Sequence, residues 1–403
     1  MADALRVAVP ALGGPDWMAG VSLVANLARA NALLPPDERL ELHLAVFPHA
    51  RGSLALHGPV AEHFAGVLLV EDTAPLDPGE HGPVARLPAA PCPRPLDVLE
   101  RVHALFPMDA NADWGFYVGR RAVVWVPDVQ HRLLPHFFSV QERARRDGLY
   151  ARVARDAPLA VFSTRAARDD FAACFPDNRA SLRVLPHHSV PGPEFSQPLD
   201  ADALRARYAL PERFLLCCNQ FWIHKDHACL LRALARLRDA GSPTLLALTG
   251  HPDDCRFPGH YTDMLRLARD LGLENLARFL GLVPRADQLG LMRLAAAVVQ
   301  PSLFEGWSTS LDEARLLGRP QVLSDIPAHR EHAVDGALYF PPGDDAALAR
   351  ALEEVLKGGR EEAPEVALDA TLERGRQRAL ADARTLAALL REAVEDLFPA
   401  WGA

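Results

Sequence analysis

The segment Gln300-Pro301-Ser302-Leu303-Phe304-Glu305-Gly306-Trp307-Ser308-Thr309-Ser310-Leu311-Asp312-Glu313-Ala314 gathers two glutamates, a glycine turn and the hydroxyl cluster Ser308-Thr309-Ser310 directly after an apolar strand pattern at 297–300. Ser308, Thr309 and Ser310 are helix N-cap residues, so the segment reads as strand, tight turn, then helix start. A helix start offers unpaired backbone N–H groups and the positive end of the helix dipole, which suits a phosphate or pyrophosphate. Glu305 falls in the turn and Glu313 one turn inside the helix, so both can face one ligand from different ends and accept hydrogen bonds from sugar or ribose hydroxyls. The spacing of two Glu residues alone is weak. A capped surface helix with two solvated carboxylates would look the same without the run Gly318-Arg319-Pro320-Gln321-Val322-Leu323-Ser324-Asp325-Ile326-Pro327 that follows.

Other residues of this kind also sit after strand patterns. Lys225, in Asn219-Gln220-Phe221-Trp222-Ile223-His224-Lys225, occupies the first strand–helix turn of the second half, where an ammonium could neutralise a diphosphate; an ordinary helix-start lysine is the plainer reading. Gly250 and Val283 follow two further strands, and a turn glycine and a core valine explain them equally well. In the first half, the run Pro10 to Gly20 places Gly13 and Gly14 between a strand and a helix, which permits close approach to a phosphate without matching a G-x-G-x-x-G fingerprint. Asp128 and His131 follow the strand pattern at 122–126, as contacts to a ligand or as structural hydrogen-bonding groups. Metal chemistry finds no H-E-x-x-H motif, and His329 and His332, three apart with no third ligand, read as a surface feature. No metal and no cofactor are expected.

The elements that must position these residues come from hydrophobic periodicity. Short apolar runs at 6–9, 42–47, 66–71, 122–126, 159–162 and 182–185 predict strands, with helices at 21–30, 140–155 and 166–174 between them. The Pro-rich stretch 72–95 predicts an irregular surface excursion. After the Pro/Gly-rich 186–193, strands recur at 214–218, 244–249, 277–279, 297–300, 321–324 and 337–340, with helices at 227–240, 260–271 and 287–294. The tail at 372–397 has a helical pattern, broken once at most. Alternating strands and helices predict an α/β protein of two doubly wound, Rossmann-like domains, whose ligands belong at the carboxyl ends of the strands in a cleft between them.

Composition agrees. A chain of 403 residues is too long for one ordinary core, and its net charge of −9 argues against a general nucleic-acid partner. The six cysteines, Cys92, Cys174, Cys217, Cys218, Cys229 and Cys255, show no zinc-type spacing and mostly lie in apolar runs, as buried free thiols do. With no signal peptide pattern and no membrane-spanning run, a cytoplasmic location is expected, leaving peripheral membrane contact open.

On Pro301-Ser302, Glu305-Gly306, Glu313-Ala314, Gly318, Pro320, Val322, Ser324-Asp325 and Pro327, the sequence resembles glycosyltransferase family 4. The family signature is E-x7-E after a P-S-x-x-E-G turn, then G-x-P-V-V-x-S-D-x-P. The resemblance covers the second half well and the first loosely. It implies the GT-B fold, with an N-terminal acceptor-side domain at 1–192, a C-terminal donor-binding domain at 193–383, and a terminal helix at about 384–403 packing back on the first. It implies a retaining transfer of a sugar from a UDP- or GDP-type donor to a hydroxyl acceptor that the sequence does not name, in glycan or polysaccharide synthesis. Glu305 would then bind donor-sugar hydroxyls, Glu313 the ribose, and the amides of Trp307, Ser308 and Thr309 the phosphates and sugar, with Gly306 also on the donor. Lys225 would neutralise the diphosphate, Gly250 and Val283 would line the base, Gly13 and Gly14 would approach the donor, and Asp128 and His131 would contact acceptor or transferred sugar. Three departures stand out: Asn219 where an Arg is usual, Pro127 where a His is usual, and Trp307 for the commoner Phe. The rivals are an epimerase or a phosphorylase on the same fold, or a sugar-nucleotide binder without catalysis.

Overall fold

In the computed structural model, residues 4–15, 17–110, 117, 120–332, 336–358 and 365–398 are described. Asp16 of the glycine-bearing run and the last residues of the expected terminal helix, 399–403, lie outside them.

The first sheet is parallel throughout and has eight strands: β1 (Arg6–Pro10), β2 (Glu41–Val46), β3 (Gly66–Val70), β4 (Ala89–Cys92), β5 (Ala104–Asp109), β6 (Ala122–Val126), β7 (Leu159–Phe162) and β8 (Ser181–Val184), in the order β4-β3-β2-β1-β5-β6-β7-β8. β3, β6 and β7 are buried along their whole length. Unbroken Val/Leu/Ala runs form such strands because helices cover both faces of a parallel sheet, so no position needs a polar side chain. Two strands depart from expectation. β5 crosses the middle of the sheet despite Pro107, and its register with β6 shifts between Leu105 and Met108, around the residue that lacks an N–H. The stretch expected to be wholly irregular instead holds a helical turn, Pro78–His81, and the edge strand β4, where Pro91 is tolerated because one side of an edge strand needs no ladder partner.

The second sheet, also parallel, has six strands: β9 (Phe214–Cys218), β10 (Leu245–Thr249), β11 (Ala277–Gly281), β12 (Ala297–Gln300), β13 (Gln321–Ser324) and β14 (Leu338–Phe340), in the order β11-β10-β9-β12-β13-β14. The chain builds outward from β9 to β11, returns to β12 on the other side of β9, and builds outward again. β9 and β12 therefore flank a topological switch point, where crossover helices lie on opposite faces and a crevice opens at the carboxyl ends. Helices Ala201–Tyr208 and Asp345–Lys357, which periodicity did not single out, start at aspartate caps: Asp200 accepts from Ala203 N at 2.9 Å and Asp344 from Ala347 N at 2.8 Å.

The chain divides into one unit of Met1–Leu133, Val140–Val190 and Arg376–Ala403, and another of Leu134–Ser139 and Pro191–Gly375. The divisions fall at 190/191 and 375/376, against expected boundaries at 192/193 and 383/384, and the short piece Leu134–Ser139 belongs to the second unit. The terminal helix runs Glu365–Glu392 and ends in a π-turn, Ala393–Leu397. Among the described residues no helix is long and apolar enough to cross a membrane. The six cysteines are free; Cys92, Cys217, Cys218 and Cys229 are buried, Cys174 is partly buried and Cys255 is exposed. Burial pushes the Cys218 thiol up to about 12, so it stays protonated and unreactive.

Candidate functional site

The residues just past β9 and β12 form one buried polar network. Asn219 Nδ2 donates to Gln300 Oε1 at 2.5 Å, and Gln300 Nε2 donates in turn to Ser310 Oγ in the first turn of helix Thr309–Leu316. A buried amide is tolerated because both its ends are bonded. Ser308 holds the N-cap position, yet its hydroxyl makes no capping bond, so that hydroxyl leaves the first-turn amides to other partners. Trp307 packs its ring on His332 at 4.3 Å between centroids.

Lys225 and Glu305 meet beside this network. Lys225 ends a 3-10 turn, Ile223–Lys225, and its Nζ lies 2.6 Å from Glu305 Oε1, with side-chain exposures of 13% and 6%. Leu303 N donates to His224 O at 2.8 Å, which ties the loop after β12 to that turn. Desolvating two charges costs free energy that only close pairing offsets, and such a pair at a strand end is a candidate ligand site. Glu313 does not share this site's cation: its Oε1 lies 2.6 Å from Arg285, at the start of helix Arg285–Leu294. The two carboxylates thus hold two separate cations.

His329 and His332, expected at the surface, are buried. Among the described residues no three His, Cys, Asp or Glu groups come together as a metal site. His329 Nδ1 faces Ser324 O at 2.9 Å, an arrangement that puts the ring proton on Nδ1, and burial lowers its pKa and keeps it neutral. Gly250 is a structural necessity: with φ +143, a Cβ there would stand 2.0 Å from Asn219 O. Val283 is half-buried against the core that Phe214, Leu216 and Leu291 share.

The remaining expected residues lie in the first unit. Gly13 has φ +86, and a Cβ would stand 2.5 Å from Val21 N, so the glycine is dictated by the start of helix Met18–Leu33; Gly14 has no such constraint. Asp128 is half-buried and accepts from Gln130 N at 2.8 Å. His131 is only 1% exposed and turns Nε2 to Asp147 Oδ1 at 2.9 Å, where Arg132 also binds. The ring links its own turn to helix Val140–Asp156.

Sequence reading missed Arg285 and Arg256. Arg285 carried a usable signal, since a cation at a helix start opposes the dipole and such local violations mark functional positions. Arg256 sits in a loop without periodicity and carried none.

Two parallel Rossmann-like sheets with a charged switch point define the GT-B class. Solved structures of that class resemble the chain over nearly its whole length: HepE of Anabaena in complex with UDP (TM-score 0.64, 18% identity, 96% of this chain and 100% of that one), sucrose-phosphate synthase of Thermosynechococcus elongatus (0.60, 14%, 97% and 99%) and WaaG, a glycosyltransferase involved in lipopolysaccharide biosynthesis (0.55, 14%, 98% and 99%). Residues 200–367, inside the second unit, match the family model "Glycosyl transferases group 1". The O-antigen chain mannosyltransferase RfbU of Salmonella typhimurium is 27% identical over 144 residues, which are 36% of this chain and 38% of that protein, so the chain spans well under half of that relative's length. Together these matches support a glycosyltransferase.

Proposed function

We propose that the protein is a retaining glycosyltransferase of the family 4 type, moving a hexose from a UDP- or GDP-sugar to a hydroxyl acceptor in glycan synthesis, without a metal. The observation that carries this reading is the buried Lys225–Glu305 pair at the switch point, next to the start of helix Thr309–Leu316. When a donor arrives, the ammonium exchanges part of its contact with Glu305 for a phosphate oxygen, and the carboxylate takes a sugar hydroxyl. First-turn amides at Ser308 and Thr309 hold the diphosphate, and Glu313 takes a ribose hydroxyl.

In the transfer, the bond between the anomeric carbon and the phosphate oxygen breaks, and the acceptor oxygen bonds to that carbon on the same face. The acceptor proton passes to the departing phosphate oxygen, and the nucleoside diphosphate leaves. No protein base is needed; the chain supplies position and charge. Asp128, half-exposed after β6, is our candidate for the acceptor side. HepE was solved with UDP and with UDP-glucose, which favours a uridine donor here. The test is donor turnover over a panel of UDP- and GDP-sugars with hydroxyl acceptors, with the product's anomeric configuration read by NMR. Inverted product rejects the retaining assignment, and absence of both transfer and donor hydrolysis rejects the enzyme.

A further inference from the structure

The diphosphate reading leaves a shortage of positive charge. Lys225 is already matched by Glu305 at 2.6 Å. Asn219, standing where the resemblance expects an arginine, is neutral and bonds its amide to Gln300. A nucleoside diphosphate brings two charged phosphoryl groups, and more negative charge gathers on it as the sugar departs. One ammonium shared with a carboxylate gives the diphosphate a single cationic contact, and a second phosphoryl group calls for a second charged donor.

A guanidinium from another loop lies at the same end of the sheet. Arg256 belongs to the connection between β10 and helix His260–Asp270, and its Nη2 is 3.2 Å from Nδ1 of His224, the neighbour of Lys225. Burial holds His224 well below its usual pKa, with Lys225 and Arg256 pushing the same way, so the ring is neutral and Nδ1 can accept from the guanidinium. Asp254 locks the arrangement. One of its oxygens accepts from Arg256 N at 3.0 Å and Nε at 3.3 Å, while the other accepts from Ile223 N at 3.1 Å. The rings of Trp222 and Phe138 flank the guanidinium carbon at 5.5 and 5.0 Å. With a side-chain exposure of 19%, Arg256 is held by a buried carboxylate, a neutral imidazole and two ring faces, which a solvated surface arginine is not. A guanidinium has five N–H donors in a rigid fork, so it can keep Asp254 and His224 and still bind phosphate oxygens. Arg285 is the poorer choice, because its partner is Glu313, the ribose carboxylate of the proposed site.

We propose that Arg256 is the second cation of the diphosphate site, supplying from the loop after β10 the charge that Asn219 does not. This inference rests on the proposed donor site and is tested apart from it. Calorimetric titration of the full chain and of R256A, R256Q and R256K would use UDP and GDP against uridine and guanosine. For the diphosphate that the unaltered protein binds, R256A and R256Q should weaken affinity about 10- to 100-fold, R256K less, and the matching nucleoside should bind all variants equally. If R256A does not fold, R256Q, which keeps a side-chain donor for Asp254, carries the comparison. Unchanged diphosphate affinity in R256Q overturns this inference alone. Equal losses for nucleoside and diphosphate overturn it too, because that pattern marks a structural role. An unaltered protein that binds neither diphosphate overturns the donor site and this inference together.

Discussion

Past β9 and β12 in the second unit, the strand ends carry buried polar groups bonded to one another: Asn219 to Gln300, Gln300 to Ser310, Lys225 to Glu305. Past β1 in the first unit come Ala11 and Leu12, both buried, and then Gly13. On β6, beyond β5 in the same sheet, Trp125 stacks on Trp17 at 6.4 Å and donates from Nε1 to Ser163 Oγ at 3.1 Å. Polar side chains of the first unit tie elements together instead: His131 to Asp147, His188 to Asp382, Arg183 to Glu392. Both sheets are doubly wound and parallel, so architecture does not explain the contrast. A charged pair buried at strand ends stabilises a fold little, which makes the Lys225–Glu305 pair of the second unit a candidate for ligand chemistry.

The sharpest way to break this comparison is to remove one member of the pair. Lys225→Ala or Glu305→Ala should lower turnover about 1000-fold, or about 4 kcal/mol in the barrier, because each also leaves its partner buried and unpaired. Rates within about threefold of the unaltered protein, measured as nucleoside diphosphate release, would erase the distinction. Next in size is backbone approach. Gly250→Ala should cost about 3 kcal/mol in urea unfolding, whereas Gly14→Ala, whose Cβ would meet only Ser53 at 3.7 Å, should stay within about 0.5 kcal/mol. Equal costs at both glycines would deny the close backbone approach at Gly250.

Acid should also act on the buried histidines of both units. Burial depresses His227 to about 3 and lowers His224 and His329 as well, all in the second unit. In a depressed histidine the unfolded chain takes up the proton first. Its contribution is full above the unfolded value of about 6.5 and is lost as pH falls toward the folded one, at about 1.4 kcal/mol per pH unit and residue. In the first unit burial takes His57 to about 4 and lowers His63 and His131 as well. Hydrogen exchange followed from pH 7 to 5 should therefore show both units losing protection, and His227→Phe should reduce the loss in the second unit alone. An unchanged loss in His227→Phe would contradict a neutral buried ring there. The smallest effect belongs to the first unit: Asp128→Asn should raise the acceptor KM about tenfold, with the donor KM unchanged. A change confined to the donor KM would move Asp128 out of the acceptor's reach.

Much of this was legible in the residues. Strands such as Ala122–Val126 and Ala297–Gln300 are short apolar runs bounded by turn residues, and a parallel sheet demands such runs whatever packs on them. Lys225, Glu305 and Glu313 stood out because each follows a strand, and carboxyl ends are where this class of fold puts ligands. β5 hid behind Pro107, whose cost to the ladder is absorbed by a local register shift that no local pattern reveals.

By itself, then, the sequence determined the two-domain α/β class, most strands of both sheets and which residues stand at strand ends as site candidates, because periodicity and turn chemistry are local. Only the tertiary structure decided the partners: Glu305 with Lys225, Glu313 with Arg285, His131 with Asp147, and Arg256 against His224. These pairs join residues far apart in the chain, and distance along a sequence carries no record of which charges will be desolvated together.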